Sequence, residues 1–267
     1  MIKVIVNADD FGLDENRTRA IIQAYQEGWV STTTAIVTTD WFQKAVDMAK
    51  GLRLHRNIGL HLNLTEGFPL TERIRESSLF CNPDGSFNAR FHASPWHRLY
   101  LTNYEAIAVR EEVEAQFSRF LHSGLSCRHI DSHHHIHTDF SIANIVLPLV
   151  VKARFRTIRL SRNLGVGLNL WKRLYKHFIN GRLASCKGVS LNADYFCNFD
   201  DLRRNVGELP DGCTVEVMTH PLFSRNRQLG MDGELTEFHW DCRQQKEFWS
   251  RPSKCVQLVD YEGAVSQ

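Results

Sequence analysis

Short β-rich segments alternate with helical segments along this chain, and this alternation constrains its fold more than any other feature. Apolar or β-branched runs occur at residues 2–6, 33–38, 58–64, 128–131, 157–160, 214–218 and 255–259. Apolar residues at helical spacing lie between them, most clearly at residues 14–29 and 104–123. Such units form right-handed crossovers and a parallel sheet. The pattern predicts an α/β fold, a (β/α) barrel that is irregular or incomplete.

The length of 267 residues suits one catalytic domain, because single α/β barrels commonly have this size. Residues 65–100 follow neither a strand nor a helix pattern and contain three prolines. A long irregular insertion in a compact domain usually forms a lid or a binding loop. We therefore expect a lid-like insertion there. Residues 163–194 show a clear pattern only at 170–179, where a helix is expected. Further helices are expected at 41–50, 142–153, 200–208 and 244–249.

Charge and cysteine content narrow the class of protein. The net charge is +2 without a long basic run, which argues against a nucleic-acid partner. No stretch reaches the roughly 20 apolar residues of a membrane span, and the N-terminal apolar run is too short for a signal peptide. The seven cysteines are scattered and form no CxxC pair. Scattered thiols are typical of a reducing compartment, so a cytoplasmic protein is expected.

Polar side chains collect where the predicted strands end. Active sites of parallel α/β folds lie at the carboxyl ends of their strands. These residues are therefore expected to converge on one site: Asp9, Asp10, His61, Asn63, Asp131, His133, Arg159 and His220.

The richest of these segments is residues 129–137, which hold five histidines and Asp131. A packed core or a solvated loop does not require so many potential metal ligands. Neutral imidazole is a suitable ligand for Zn, Fe, Ni or Co. Extended spacing would place His129, His133, His135 and His137 on one face with Asp131. Helical spacing would instead pair His133 with His137. A catalytic metal uses about three protein ligands, so most of these histidines have other roles.

The acid pair at the end of the first strand adds catalytic chemistry to this metal-binding stretch. Asp9 and Asp10 would face opposite sides of a regular strand. We expect the chain to leave the strand at Phe11–Gly12, so that both carboxylates turn toward one site. Next to a cation, one acid can bind the metal while the other acts as a base. Asp131 is the candidate to fix the tautomer of a ligand histidine.

Five motifs, in order along the chain, resemble those of the YdjC/ChbG carbohydrate deacetylase family. They are NADDFGL at 7–13, STTTA at 31–35, GLHLNLT at 59–65, HIDSHHHIH at 129–137 and VMTHP at 217–221. The resemblance implies a barrel-like fold related to polysaccharide deacetylases and a divalent metal, Mg or Zn. It also implies hydrolysis of N-acetyl groups on chitooligosaccharide-type sugars.

Matched residue by residue, the resemblance assigns a role to each candidate. Asp10, His61 and His133 become the metal ligands, with His137 in reserve, and Asp9 becomes the general base. His220 corresponds to a general acid, and Arg159 resembles a catalytic arginine.

Two functions of other classes remain open from the residues alone. A barrel metallohydrolase acting on a phosphoester or another amide would use similar ligands. A non-catalytic sugar-binding protein would not need the acid pair. The aromatic residues Trp96, Tyr100 and Trp171 suit a lid, a sugar platform or a homodimer interface.

Overall fold

A curled parallel sheet flanked by helices forms the framework of this protein in a computed structural model. The structure describes residues 1–165, 169–224, 227–231 and 255–265. Eight strands follow the order β6-β5-β4-β3-β2-β1-β8-β7, and β11 pairs with the start of β1. The strands are β1 (Ile2–Phe11), β2 (Thr32–Ala35), β3 (Ile58–Leu62), β4 (His129–Ser132), β5 (Thr157–Ile158), β6 (Ser190–Leu191), β7 (Tyr195–Asn198), β8 (Thr214–Thr219), β9 (Leu222–Phe223), β10 (Leu229–Gly230) and β11 (Val256–Leu258).

Helices cover the connections between the strands. They are α1 (Glu15–Gln26), α2 (Phe42–Ala49), α3 (Glu72–Arg75), α4 (Arg90–Ala93), α5 (Asn103–His122), α6 (Phe140–Lys152), α7 (Leu170–Ala184), α8 (Phe199–Asn205) and α9 (Tyr261–Val265). Asp14 caps α1 as expected, its carboxylate accepting from the Arg17 backbone at 2.8 Å. Thr102 and Glu105 form a reciprocal capping box at the start of α5. Local sequence signals therefore set these helix starts.

The prediction of an incomplete (β/α) barrel is confirmed. All ladders of the eight-stranded sheet are parallel. In the described part of the chain no ladder joins β6 to β7, so the barrel has a seam between these two strands. The seven predicted strands are present, with boundaries that differ by a few residues, whereas β6 and β7 were not predicted from the sequence. The helix expected at 244–249 lies outside the described residues.

Of the two alternatives for the histidine stretch, the extended one is wrong beyond Ser132. Strand β4 ends there, and residues 133–138 form a 3₁₀ turn in which His134 and His135 have positive φ angles. Positive φ reverses the chain direction locally. The histidines therefore point to different places instead of sharing one face.

The 65–100 insertion is an integral part of the core. Its side chains Ile74, Phe80, Phe87 and Phe91 are buried in the main hydrophobic cluster. Glu112 of α5 anchors the start of the insertion by accepting from the backbone of Leu70 and Thr71 at 2.9–3.1 Å. A lid function for this segment stays a prediction.

The surface carries several exposed aromatic side chains. Trp96 and Trp171 are 65% and 77% exposed, and Tyr100 packs against Trp96. Use of these residues in a homodimer stays a prediction. Within the described ranges no helix combines the length and the apolar character needed to cross a bilayer. All six cysteines in those ranges are free thiols.

Candidate active site

A β-bulge near the end of β1 brings both acids of the pair into the barrel. The pairing of β1 with β2 shifts register between Ala8 and Phe11, and Asp10 has a φ of 70°. An extra residue in one strand lets two neighbouring side chains face the same side. Asp9 and Asp10 are both buried, so the expected convergence occurs. The strand ends at Phe11, where the chain was expected to leave it, and the bulge within the strand is the additional feature that turns Asp10.

Asp10 is the meeting point of two histidines from neighbouring strands. Its Oδ1 lies 3.2 Å from Nε2 of His61 and 2.9 Å from Nδ1 of His133. One ligand atom from each of the three residues lies within 4.8 Å of the others. The Asp10 Oδ2 atom is buried and has no hydrogen-bond partner in the described part of the chain. One carboxylate and two imidazoles around an orphaned oxygen fit a divalent cation.

Two other groups of acids and histidines also converge, namely Asp9 with His61 and Asp131, and His129 with Asp131 and Glu216. In both groups the acids are paired with Arg159. A cation there would compete with a guanidinium. The cluster of Asp10, His61 and His133 does not have this conflict.

Asp131 holds His61 in a fixed orientation. Its Oδ1 lies 2.7 Å from Nδ1 of His61, and its Oδ2 accepts from the Thr34 hydroxyl at 3.0 Å. Burial lowers the pKa of His61, but Asp131 and Asp10 outweigh burial and raise the pKa to about 10. The His61 pocket therefore strongly favours positive charge. Asp131 was expected to fix the tautomer of a ligand histidine, and it lies within hydrogen-bonding distance of His61.

Arg159 lies fully buried at the centre of an acidic cluster. Its guanidinium forms a two-pronged pair with Asp9 at 2.7 and 2.8 Å. It also contacts Asp131 at 2.6 Å and Glu216 at 2.8 Å, and it lies over the ring of Phe196. A guanidinium fork of this kind fixes a carboxylate in position. The structure thus places Arg159 behind Asp9, where it orients that acid.

The interior of the barrel carries an excess of acidic groups. Burial raises the pKa of Glu216 to about 7, against the opposing effect of Arg159. Burial also disfavours the charge of Asp10, but hydrogen bonds from His133 and His61 keep its pKa well below the ordinary value. Several carboxylates around a single guanidinium make a site that attracts a further cation.

Glu66 closes the cluster on the solvent side. Its carboxylate lies 2.9 Å from Nε2 of His133, and its side chain is about half exposed. It follows β3 through Asn63, whose side chain binds the Glu66 backbone at 2.6 Å. Glu66 and Asn63 therefore form the polar wall that sequence reasoning expected beyond His61.

The remaining histidines of the cluster have separate places. His137 is fully buried, with Nδ1 2.5 Å from the Ser132 hydroxyl and Nε2 2.9 Å from the carbonyl of Arg159. Both ring nitrogens of His137 contact neighbouring protein groups, and its role as a reserve ligand stays a prediction. His129 stacks on Tyr261. His134 contacts the Thr65 hydroxyl at 2.9 Å.

His220 lies at the adjoining strand end. Ala8 pairs with Thr219, the last residue of β8, so His220 follows next to the position of Asp9. Its backbone N–H binds the carbonyl of Met231 at 2.9 Å, and the residue is half-buried. The carboxyl ends of β1, β3, β4 and β8 thus bring together the acids and histidines that the sequence analysis selected.

Sequence reasoning missed two parts of this interior. Glu216 stands in the middle of the apolar strand β8, and a charged residue in such a run is the signal that identifies it. Thr34 binds both Asp131 and the side chain of Asn7, at 3.0 and 3.2 Å. A buried threonine in a β-branched strand carries no comparable signal.

Comparison with known proteins agrees with this arrangement. Residues 3–251 match the model of a family described as YdjC-like protein. The chain belongs to the YdjC family. A carbohydrate deacetylase of Vibrio cholerae is 34% identical over 225 residues, which cover 83% of this chain and 79% of that protein. One of Brevibacillus brevis is 31% identical over 230 residues, covering 83% and 82%.

Other relatives of this YdjC family member match over a shorter stretch. A carbohydrate deacetylase of Vibrio parahaemolyticus is 39% identical over 158 residues, which span 57% of each chain. A crystal structure from Enterococcus faecalis, described provisionally as a cellobiose-phosphate cleavage protein, superposes with a TM-score of 0.67. It is 23% identical and covers 98% of both chains. This likeness shows that the fold extends over the whole chain.

Proposed function

We propose that this protein is a metal-dependent carbohydrate deacetylase that removes N-acetyl groups from chitooligosaccharide-type sugars. The observation that carries the proposal is the convergence of His61 and His133 on Asp10, with Asp9 beside them. The names of the relatives support the same activity. A binding protein without catalysis would not need a buried acid held by Arg159 next to a ligand cluster.

Asp10, His61 and His133 would hold the cation. Their donor set suits zinc best, and magnesium is the alternative that family resemblance allows. A divalent metal in such a site lowers the pKa of a bound water and polarises a carbonyl oxygen. The orphaned Asp10 Oδ2 atom is the specific feature that this assignment explains.

Asp9 would take the proton of the attacking water. Arg159 holds both of its carboxylate oxygens, and the side-chain amide of Asn7 donates to Oδ1 at 2.8 Å. A base fixed in this way loses little entropy when it meets its substrate. These contacts support Asp9 as the proton acceptor, while Asp10 is engaged by the histidines.

His220 would give a proton to the leaving amine. Its residue position follows β8, which lies on the opposite side of β1 from β2 and β3, and this position beside Asp9 supports the role. An amine leaves an amide only after protonation, so a general acid is required. The products are acetate and a free amino sugar.

The direct test is acetate release from N,N′-diacetylchitobiose. Protein stripped with a chelator is compared with protein reloaded with zinc or magnesium, and acetate is measured by NMR. We expect release that depends on added metal. Failure on every acetylated sugar, together with hydrolysis of p-nitrophenyl phosphate by the reloaded protein, would replace the proposal with a phosphoesterase.

We also propose a cytoplasmic location. The free thiols are consistent with a reducing compartment. Fractionation of the source cells with antibodies against this protein tests the location.

A further inference from the structure

A second cavity lies at the seam of the barrel, away from the metal cluster. It encloses about 1010 Å³ between α7 and the segment that joins β6 to β7. We call it the α7 groove. The residues of its wall that matter here are Arg162, Arg173, Lys176, His177, Asn180 and Asn192. Asp9, Asp10, His61 and His133 do not line it.

Helix α7 turns its polar face to this groove. Arg173, Lys176, His177 and Asn180 follow the spacing of a single helical face. The exposed large apolar residues of the helix lie elsewhere: Leu170, Trp171, Leu174 and Phe178. A helix packed on a core normally turns its apolar face inward. Core packing therefore does not account for the cationic face of α7.

The cations of this face lack protein partners. Across the described ranges, the side chains of Arg173, Lys176 and His177 form no hydrogen bond and no ion pair. Burial and then the charges of Arg162 and Lys172 lower the pKa of Lys176 to about 8. Lys176 is half-buried, whereas Arg173 and His177 are exposed, and uncompensated charge at the half-buried position favours an anion from outside the protein.

The acids at the groove are already engaged. Asp194 accepts from the backbone of Thr214 at 2.8 Å. Asp201, which does not line the groove, is paired with the groove residue Arg162. Neither carboxylate neutralises Arg173 or His177 by a direct contact. The groove thus combines free cations with occupied acids.

Asn192 supplies a second, independent sign of a ligand. It is 3% exposed and lines the groove. Its Nδ2 donates to Glu216 at 2.6 Å, while its Oδ1 is buried without a partner in the described residues. A buried acceptor without a donor is costly, and a ligand hydroxyl would satisfy it.

We propose that the α7 groove binds a phosphorylated sugar at a site separate from the metal cluster. Arg173 and Lys176 bind the phosphoryl group, and Asn192 accepts from a hydroxyl. The volume is of the size that small-molecule sites have and exceeds the need of a bare phosphate. Glu216 and Arg159 lie between Asn192 and Asp9, so the two sites are connected through contacting side chains.

Calorimetric titration with glucose 6-phosphate tests this site without measuring activity. Inorganic phosphate and glucose are titrated in parallel. The double variant Arg173→Ala/Lys176→Ala removes two charged contacts, and we expect it to weaken glucose 6-phosphate binding by about a hundredfold. The matched control is Arg182→Ala/Lys187→Ala, which removes the same charges outside the groove and should bind as the wild type does.

The expected order of affinity is glucose 6-phosphate above inorganic phosphate, with glucose undetectable. Absence of binding by the wild type, or wild-type affinity in the Arg173→Ala/Lys176→Ala protein, would overturn the site. Equal affinity for inorganic phosphate and glucose 6-phosphate would overturn the hydroxyl contact of Asn192. All four substituted side chains lie at the surface or are half-buried, so these variants are expected to fold.

Discussion

The carboxylate of Asp131 contacts Nδ1 of His61 at 2.7 Å, which leaves Nε2 of the same ring directed at Asp10. Both residues are almost completely buried, so solvent cannot compete for this contact. The orientation of the imidazole is therefore set by a residue that does not itself reach Asp10.

Replacement of Asp131 by Asn should weaken metal binding without abolishing it. An amide holds the ring less firmly and makes the imidazole a poorer ligand, and loss of such a partner typically costs about 10–100-fold in metal affinity. Competition with a chromogenic chelator measures the affinity. The control is Asp40→Asn, which replaces an exposed acid and should leave the metal affinity unchanged. Unchanged affinity in Asp131→Asn would show that His61 does not depend on Asp131.

Removal of His61 and removal of His137 should have opposite effects on metal content. His61→Ala deletes a ligand and should lose the metal. His137→Ala should keep it, because both nitrogens of His137 bind Ser132 and the Arg159 carbonyl. Elemental analysis of purified proteins gives the answer. A metal-free His137→Ala protein that is still folded by circular dichroism would identify His137 as a ligand.

Asp9→Asn should retain metal and lose activity. The amide cannot accept a proton, and loss of a general base typically costs about 10²–10⁴-fold in rate. Acetate release is measured on variant protein whose metal content equals that of the wild type. Full activity in that protein would remove Asp9 from its assigned role.

Arg159→Lys should destabilise the fold. The ammonium cannot reproduce the two-pronged contact with Asp9 together with the contacts to Asp131 and Glu216. Breaking a buried ion pair typically costs about 3–5 kcal/mol. Urea unfolding measures the change, and Arg110→Lys on the exposed face of α5 should leave stability unaffected. Equal stability of the two variants would contradict a central role of Arg159.

Glu216→Gln should change how stability depends on pH. Burial raises the pKa of Glu216 to about 7 in the folded protein, above that of an unfolded chain. The folded state therefore binds this proton more tightly, and the wild type loses stability as the pH rises from the ordinary carboxyl range through about 7. The Glu216→Gln protein should not show this loss of stability, because its amide does not titrate.

Between the ordinary carboxyl range and pH about 7, the free energy of unfolding of the wild type should fall, relative to that of Glu216→Gln, by on the order of 3 kcal/mol. Urea titrations at several pH values measure it. A difference that is constant with pH would show that the charge of Glu216 is not disfavoured by folding.

The sequence was sufficient to predict most of the sheet and the convergence of its strand ends, but not β6 and β7. Alternating apolar strands and amphipathic helices depend on local patterns, and the carboxyl ends of parallel strands meet for topological reasons. The strand-end residues were therefore predictable as a group, and the family resemblance selected Asp10, His61 and His133 among them as the ligands.

Details set by tertiary contacts were not predictable. The bulge at Asp10 and the positive φ angles of His134 and His135 depend on neighbouring strands, not on local propensity. The burial of His137 depends on a carbonyl 22 positions away along the chain. Its spacing from His133 suited a ligand pair, and the contacts of its two ring nitrogens follow only from the packing.

The bulge also bears on how this protein can be stabilised. A left-handed backbone at a residue other than glycine costs about 1–2 kcal/mol, and the chain bears this cost at Asp10. Glycine would adopt the conformation freely but would bring no carboxylate to the two histidines. Screening for thermal tolerance alone would thus favour substitutions at position 10 that abolish function. Engineering for robustness should keep that position fixed and look for improvement elsewhere.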